Sequence, residues 1–174
     1  AGLKLEGAIK QVNLNLNDLL CLDIGASTGG FTDCLLQHKV QKVVCVDVGQ
    51  NQLVEQIKND KRVISIEKIN ARNLFEYQEF SQIFLPEGFD LVVMDVSFIS
   101  MTLILDSIHK VLKTEGTLLS LVKPQFELSA ECLDKNGIVK NNSLYQLVED
   151  KIKTSLHEKK FNIINYFESS LPGK

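Results

Sequence analysis

Four charged side chains in this sequence each follow a short apolar run: Asp23 after Leu20-Cys21-Leu22, Asp47 after VVCV, Asp95 after LVVM and Lys123 after LLSLV. A charge at the carboxyl end of a buried strand is held firmly and faces the crevice where open α/β sheets bind ligands. The first is followed by a turn of small residues, Gly25, Ala26, Ser27, Thr28, Gly29 and Gly30, which ends at Phe31. Such a turn lets a ligand come close to the backbone. In the dinucleotide fingerprint GxGxxG a helix N-terminus holds a pyrophosphate, but here the glycine spacing differs and Asp23 repels phosphate. The turn suits a positively charged ligand.

Asp47, with Val48 beside it, follows the glycine turn by about the 20 residues that separate a ribose-binding acid from such a turn. A carboxylate there accepts bonds from both ribose hydroxyls; the alternative is a cap on the following helix. Farther on, Asn70, Ala71 and Arg72 follow the third apolar run, at the level where an adenine would sit; their side chains or backbone could read the ring edge, the alternative being a solvated loop. A nucleoside carrying a positive sulfonium and amino group, S-adenosylmethionine, satisfies all three expectations together.

The elements that must position these groups follow from periodicity. Short runs rich in β-branched residues alternate with longer amphipathic stretches, the pattern of βαβ units around a parallel sheet. Strands are expected at residues 19–24, 42–47, 62–67, 89–95, 116–122 and 161–167, and helices at 28–37, 51–59, 100–112 and 143–160, the last capped by Ser143. Residues 76–88 read as an ordinary connection, and 126–142 as a long excursion of the kind that forms lids or binding elements. The fold expected is a doubly wound, mostly parallel Rossmann-like sheet of the class I methyltransferase type, one strand short of completion.

Composition narrows the functions. The chain has 174 residues, 44% of them hydrophobic, enough for one domain with its own core. It has no apolar run of membrane-spanning length and no signal-peptide pattern, so it is expected to be cytoplasmic and not membrane-bound. Cys21, Cys34, Cys45 and Cys132 form no CxxC pair, and His38, His109 and His157 are scattered, so no metal is expected and the thiols are expected reduced. A net charge of −3 argues against a domain that grips nucleic acid unaided. Lys4, Lys10, Lys39, Lys42, Lys110 and Lys113 could still converge on one face.

The ordered motifs GLKLEG (residues 2–7), DIGASTGGFT (23–32), VDVGQ (46–50), DVSFIS (95–100), VKPQFE (122–127) and GIVK (137–140) together resemble the hemolysin-A family over almost the whole chain. That family is similar to the FtsJ-type ribosomal RNA 2′-O-methyltransferases, joined to an N-terminal S4-type RNA-binding module that this chain lacks. The resemblance implies S-adenosylmethionine as methyl donor, ribosomal RNA or ribosomal subunits as substrate, and cytidine as the target nucleotide. It also implies a catalytic Lys-Asp-Lys-Glu tetrad whose first three members are Lys4, Asp95 and Lys123. The family glutamate falls beyond the Leu171-Pro172-Gly173 turn, and Glu168 does not match it.

A ribose hydroxyl is a poor nucleophile, whereas a sulfonium methyl already carries an excellent leaving group. The enzyme therefore has mainly to align the two and handle one proton. Lys123 precedes Pro124 and so sits in a restricted, extended backbone. The assignment that follows is Lys123 as general base, helped by Lys4, with Asp95 orienting it. Phe98 and Phe126 are candidates for stacking on an extruded base, or for packing. Competing functions are a small-molecule or base N-methyltransferase on the same fold, which the absence of an Asn-Pro-Pro-Tyr element disfavours, and a membrane-active haemolysin or catalytically silent RNA-binding protein.

Overall fold

The computed structural model describes residues 1–173. Five strands, β1 (Leu20–Ile24), β2 (Lys42–Val46), β3 (Val63–Ile66), β4 (Phe89–Met94) and β5 (Leu112–Ser120), form one sheet in the order β3-β2-β1-β4-β5. Every neighbouring pair is parallel, with Asp23 in register with Cys45 on one side and Val93 on the other. The chain winds outward from β1 to β3, then restarts at β4 on the opposite side of β1. That reversal places the switch-point crevice between β1 and β4.

Alternation along the strands sends side chains to two cores, as a period of two requires. Cys21, Val43, Cys45, Leu91 and Val93 face helices α1 (Gly2–Val12), α2 (Gly30–Gln37) and α3 (Glu55–Lys58), which bury Leu5, Ile9, Leu35 and Ile57 against them. Leu22, Ile24, Val44, Val92 and Met94 face the other way. They meet α4 (Gln78–Ile83), α5 (Leu105–Val111) and α6 (Leu144–Glu158), which contribute Phe80, Leu105, Ile108, Val148 and Ile152. A sheet covered on both faces explains why the central strands read as unbroken apolar runs.

Several expectations need correction. The strand expected at 161–167 pairs with no strand among the described residues: the segment has no regular secondary structure, Phe161 and Tyr166 rest on the second core, and Ile164 is 88% exposed. An apolar run becomes a strand only beside a partner, and here β5 is the sheet edge among the described residues. The helix expected at 51–59 shrinks to one turn, α3, and that at 100–112 to a 3-10 turn at Met101–Leu103 followed by α5. β5 begins directly after α5, with an irregular register opposite Phe89 and Leu91. Residues 76–88 carry α4 in place of a plain connection, and α1 was not anticipated. Ser143 does precede α6, but its side chain makes no cap bond; Asn141 Oδ1 accepts the Ser143 N–H at 3.0 Å. The excursion at 126–142 closes through an antiparallel bridge of Leu133 with Val139.

Candidate active site

The glycine turn is pinned to the ends of both neighbouring strands. The Gly25 and Ala26 N–H groups donate to the Val46 carbonyl at 2.9 and 3.3 Å, and the Asp95 N–H donates to the Ile24 carbonyl at 3.0 Å. Gly25 has φ +81°, and a Cβ there would lie 2.3 Å from the Asp95 carbonyl oxygen, so the turn requires glycine twice over. Ser27 holds φ +52°, uncommon for a residue with a Cβ and concentrated at functional turns.

Asp23 is fully buried. Its Oδ2 accepts the Thr32 hydroxyl at 2.7 Å, while Oδ1 is buried with no partner. Burial pushes its carboxyl up to about 7; the Thr32 hydrogen bond opposes the rise, and the negative Asp95 and Asp47 nearby add to it. A buried carboxylate with one unpaired oxygen at a ligand turn is poised to be stabilised by a cation. Thr32, absent from the residues singled out by sequence, is therefore the side chain that sets the orientation of Asp23. The signal was its place one residue after Phe31, on the first turn of α2.

Asp47, half-buried just past β2, accepts the Ser27 N–H at 2.7 Å through Oδ2 and the Gly49 N–H at 2.8 Å through Oδ1. It thus ties the glycine turn to the loop after β2, and each oxygen keeps a lone pair for a further donor. Val48 beside it is exposed. Ser27, Asp47, Gly49, Leu53 and Glu67 line a small hollow at this corner. Asn70 uses its side-chain oxygen to cap the following 3-10 turn, accepting the Arg72 N–H at 3.0 Å, and Ala71 is buried.

Across the crevice, Lys123 Nζ stands 2.6 Å from Asp95 Oδ1 and donates to the Ser97 hydroxyl at 2.9 Å. Asp95 Oδ1 is buried and receives the ammonium as an ion pair, the directed hydrogen bond going to Ser97. The same ammonium lies 6.0 Å from the centroid of Phe126, whose ring meets that of Phe98 at 5.1 Å. Phe98 has φ +64° and is 91% exposed, a strained backbone holding a large apolar ring in water. Lys4 lies half-buried on α1 and makes no ion pair among the described residues. Its helix nonetheless reaches the site: a Cβ on Gly2 would lie 2.8 Å from the Gly30 carbonyl oxygen, so α1 begins against the end of the glycine turn.

Glu127 is the second residue that sequence reasoning passed over as a site element. Its buried carboxylate accepts the Met101 N–H at 2.9 Å, the Ser100 hydroxyl, and the Lys151 ammonium at 3.0 Å. One acid thereby fastens the loop after β4, the loop after β5 and α6 to each other. His38 does not stand apart from the cysteines as expected: it ends α2, four residues after Cys34, and both meet Glu6 of α1. Of the lysines that could converge on one face, Lys10 and Lys113 are held in ion pairs with Glu6 and Asp90. Among the described residues no helix is long and apolar enough to cross a membrane.

Hemolysin A of Brachyspira hyodysenteriae is 40% identical over 173 residues, covering 99% of this chain and 70% of that protein. The 16S/23S rRNA (cytidine-2′-O)-methyltransferase TlyA of Mycobacterium tuberculosis is 34% identical, covering 98% of this chain and 61% of that protein. A solved structure described as "Putative hemolysin from Streptococcus thermophilus" superposes with a TM-score of 0.89 at 39% identity, over 99% of this chain and 60% of that one. An S-adenosylmethionine-dependent methyltransferase from Mesorhizobium loti, 13% identical with a TM-score of 0.64 over 91% of this chain and 81% of that one, shares the fold alone. The family model described as FtsJ-like methyltransferase matches residues 1–174, and the chain belongs to that family.

Proposed function

We propose that this chain is the catalytic core of an S-adenosylmethionine-dependent ribosomal RNA methyltransferase that modifies a ribose 2′-hydroxyl, with cytidine as the target nucleotide. The observation that carries the reading is the Lys123–Asp95 pair, 2.6 Å apart at the crevice between β1 and β4, directly across from the glycine turn. The residues present fit the methyl donor: the unpaired Asp23 oxygen and the tight Gly25 turn form a cradle for a cation, which a phosphate ligand would not favour. Asp23 and the backbone from Gly25 to Phe31 would hold the positive end, Asp47 with Val48 the ribose, and Asn70 with Ala71 the adenine. Bound there, S-adenosylmethionine supplies an electrophilic methyl group on a positively charged sulfur.

The chain's own work is alignment and one proton. Asp95 and Ser97 fix the Lys123 nitrogen at a single point, and Glu127 locks the two loops that carry them. Lys123 in its amine form takes the hydroxyl proton, and Asp95 stabilises the resulting ammonium in place. Lys4 lies on α1, whose first residue, Gly2, packs against Gly30 at the end of the glycine turn, and is the third member of the proposed catalytic set. Phe98 and Phe126 offer a stacking platform beside this pair for a splayed-out base. In the intact protein an S4-type RNA-binding module supplies the affinity that a chain of net charge −3 lacks. A ribosomal RNA substrate supports a cytoplasmic location.

The test couples binding to turnover. Titration calorimetry is expected to show S-adenosylmethionine binding to the unaltered chain and to Lys123→Ala alike. Lys123→Ala in the intact protein is expected to lower methyl transfer to ribosomal RNA by about 10²–10⁴-fold, the range of a lost general base. Retention of most turnover would refute the base assignment, and failure to bind the methyl donor would favour the silent or lytic alternatives.

A further inference from the structure

Away from the crevice, three side chains of metal-ligating type meet between α1 and α2. Glu6 Oε2 lies 2.6 Å from His38 Nε2 and 3.4 Å from Cys34 Sγ, and one donor atom from each residue falls within 4.8 Å of the others. Cys34 and His38 are four residues apart, which stacks them on one face of α2, and Glu6 comes from the facing helix α1. We propose that Glu6, Cys34 and His38 bind a single divalent ion of the zinc class, clamping the helix that carries Lys4 to the helix that starts at the glycine turn.

The donor set is one sulfur, one imidazole and one carboxylate, a combination that suits zinc and not magnesium or calcium. Bond lengths of roughly 2.0–2.3 Å place neighbouring ligand atoms on a tetrahedral ion about 3.4–3.6 Å apart. The Cys34–Glu6 separation of 3.4 Å already meets this, and the His38–Glu6 separation of 2.6 Å must widen by under about 1 Å, a rotation of two partly exposed side chains. Cys34 closes the inner side at 6% exposure, whereas the His38 and Glu6 side chains are 28% and 31% exposed, leaving an open side for water as fourth ligand. Lys10 sits 3.7 Å from the other Glu6 oxygen, Oε1, so it does not occupy the metal-facing one. His38 ends α2, where the partial negative charge of the last carbonyls adds to the attraction for a cation.

On coordination the Cys34 thiol gives its proton to solvent as the metal–sulfur bond forms, His38 binds as neutral imidazole through Nε2, and no oxidation state changes. The ion would join two helices that already touch at Gly2 and Gly30, and would hold Lys4, two residues before Glu6, at a fixed height over the turn.

The experiment titrates the metal-free chain with Zn(II) by calorimetry and with Co(II) by absorption, whose thiolate-to-metal band reports a cysteine ligand. One equivalent of Zn(II) and a cobalt–thiolate band are expected, the band persisting in Cys132→Ser and vanishing in Cys34→Ser. His38→Ala and Glu6→Gln are each expected to weaken Zn(II) binding by more than about 10–100-fold, the loss caused even by an outer-shell partner. Circular dichroism without metal confirms that the variants fold. Absence of the cobalt–thiolate band on the unaltered chain, or Zn(II) affinity unmoved by the three substitutions, overturns the proposal. Methyl-donor binding in the same metal-free samples tests the methyltransferase reading separately.

Discussion

Exchange of Asp23 for Asn isolates what the active site costs the fold. The carboxyl sits fully buried with one oxygen unpaired, and its folded-state value near 7 stands above the ordinary 3.8. A raised carboxyl contributes stability that is fully present below pH 3.8 and is lost as pH rises through about 7. At about 1.36 kcal/mol for each pH-unit of difference, the full loss is about 4 kcal/mol. The loss between pH 5 and pH 8 is about 3 kcal/mol. Asn keeps the shape and the bond from the Thr32 hydroxyl but does not titrate; its weaker acceptor and unpaired amide cost about 1–3 kcal/mol at every pH. Those constant terms cancel between two pH values. Urea unfolding of both proteins at pH 5 and pH 8 should therefore show Asp23→Asn gaining about 3 kcal/mol on the unaltered chain as pH rises. The same variant should bind S-adenosylmethionine about 10–100-fold more weakly at pH 8, having lost a charge-assisted contact of about 1.5–3 kcal/mol. A stability difference that stays flat from pH 5 to pH 8 would refute the reasoning.

Three further outcomes follow from other contacts. Glu127→Gln weakens three bonds that join two loops to α6, and should lower stability by about 2 kcal/mol, or roughly 4–8 °C in Tm, read by calorimetric melting. Phe98→Ala removes a ring that is 91% exposed, so melting should hardly change, whereas RNA affinity in the intact protein should fall by about 1–3 kcal/mol if the ring stacks on a base. Burial pushes the thiols of Cys21, Cys34 and Cys45 up to about 12. An aromatic disulfide reagent at pH 8 should thus find one fast thiol, Cys132, with the rest reacting only on unfolding.

The strands that carry the site were legible because a sheet covered on both faces needs unbroken apolar runs, and the charges that end those runs stand out against them. Asp23, Asp47, Asp95 and Lys123 are therefore found from sequence as groups at or just past the carboxyl ends of β1, β2, β4 and β5, strands that are parallel neighbours in one sheet, and Lys123 pairs with Asp95. What depends on tertiary partners was not legible. Residues 161–167 have strand composition without a neighbouring strand, and α1 is held by Leu5 and Ile9 against a sheet face that only the fold creates. Thr32 and Glu127 look like ordinary polar residues until the strand end and the loops that they bond are brought to them. Cys34 and His38 carry a readable i, i+4 spacing, but the third member, Glu6, lies 28 residues away from Cys34 in the chain.

The measurement that bears most directly on the account is to incubate the intact protein with ribosomal subunits and labelled S-adenosylmethionine, then map the label in the RNA. The account predicts a single modified cytidine carrying the methyl group on its ribose 2′-oxygen, and none with Lys123→Ala. Label on a base nitrogen, or no transfer by a protein that binds the methyl donor, would contradict it.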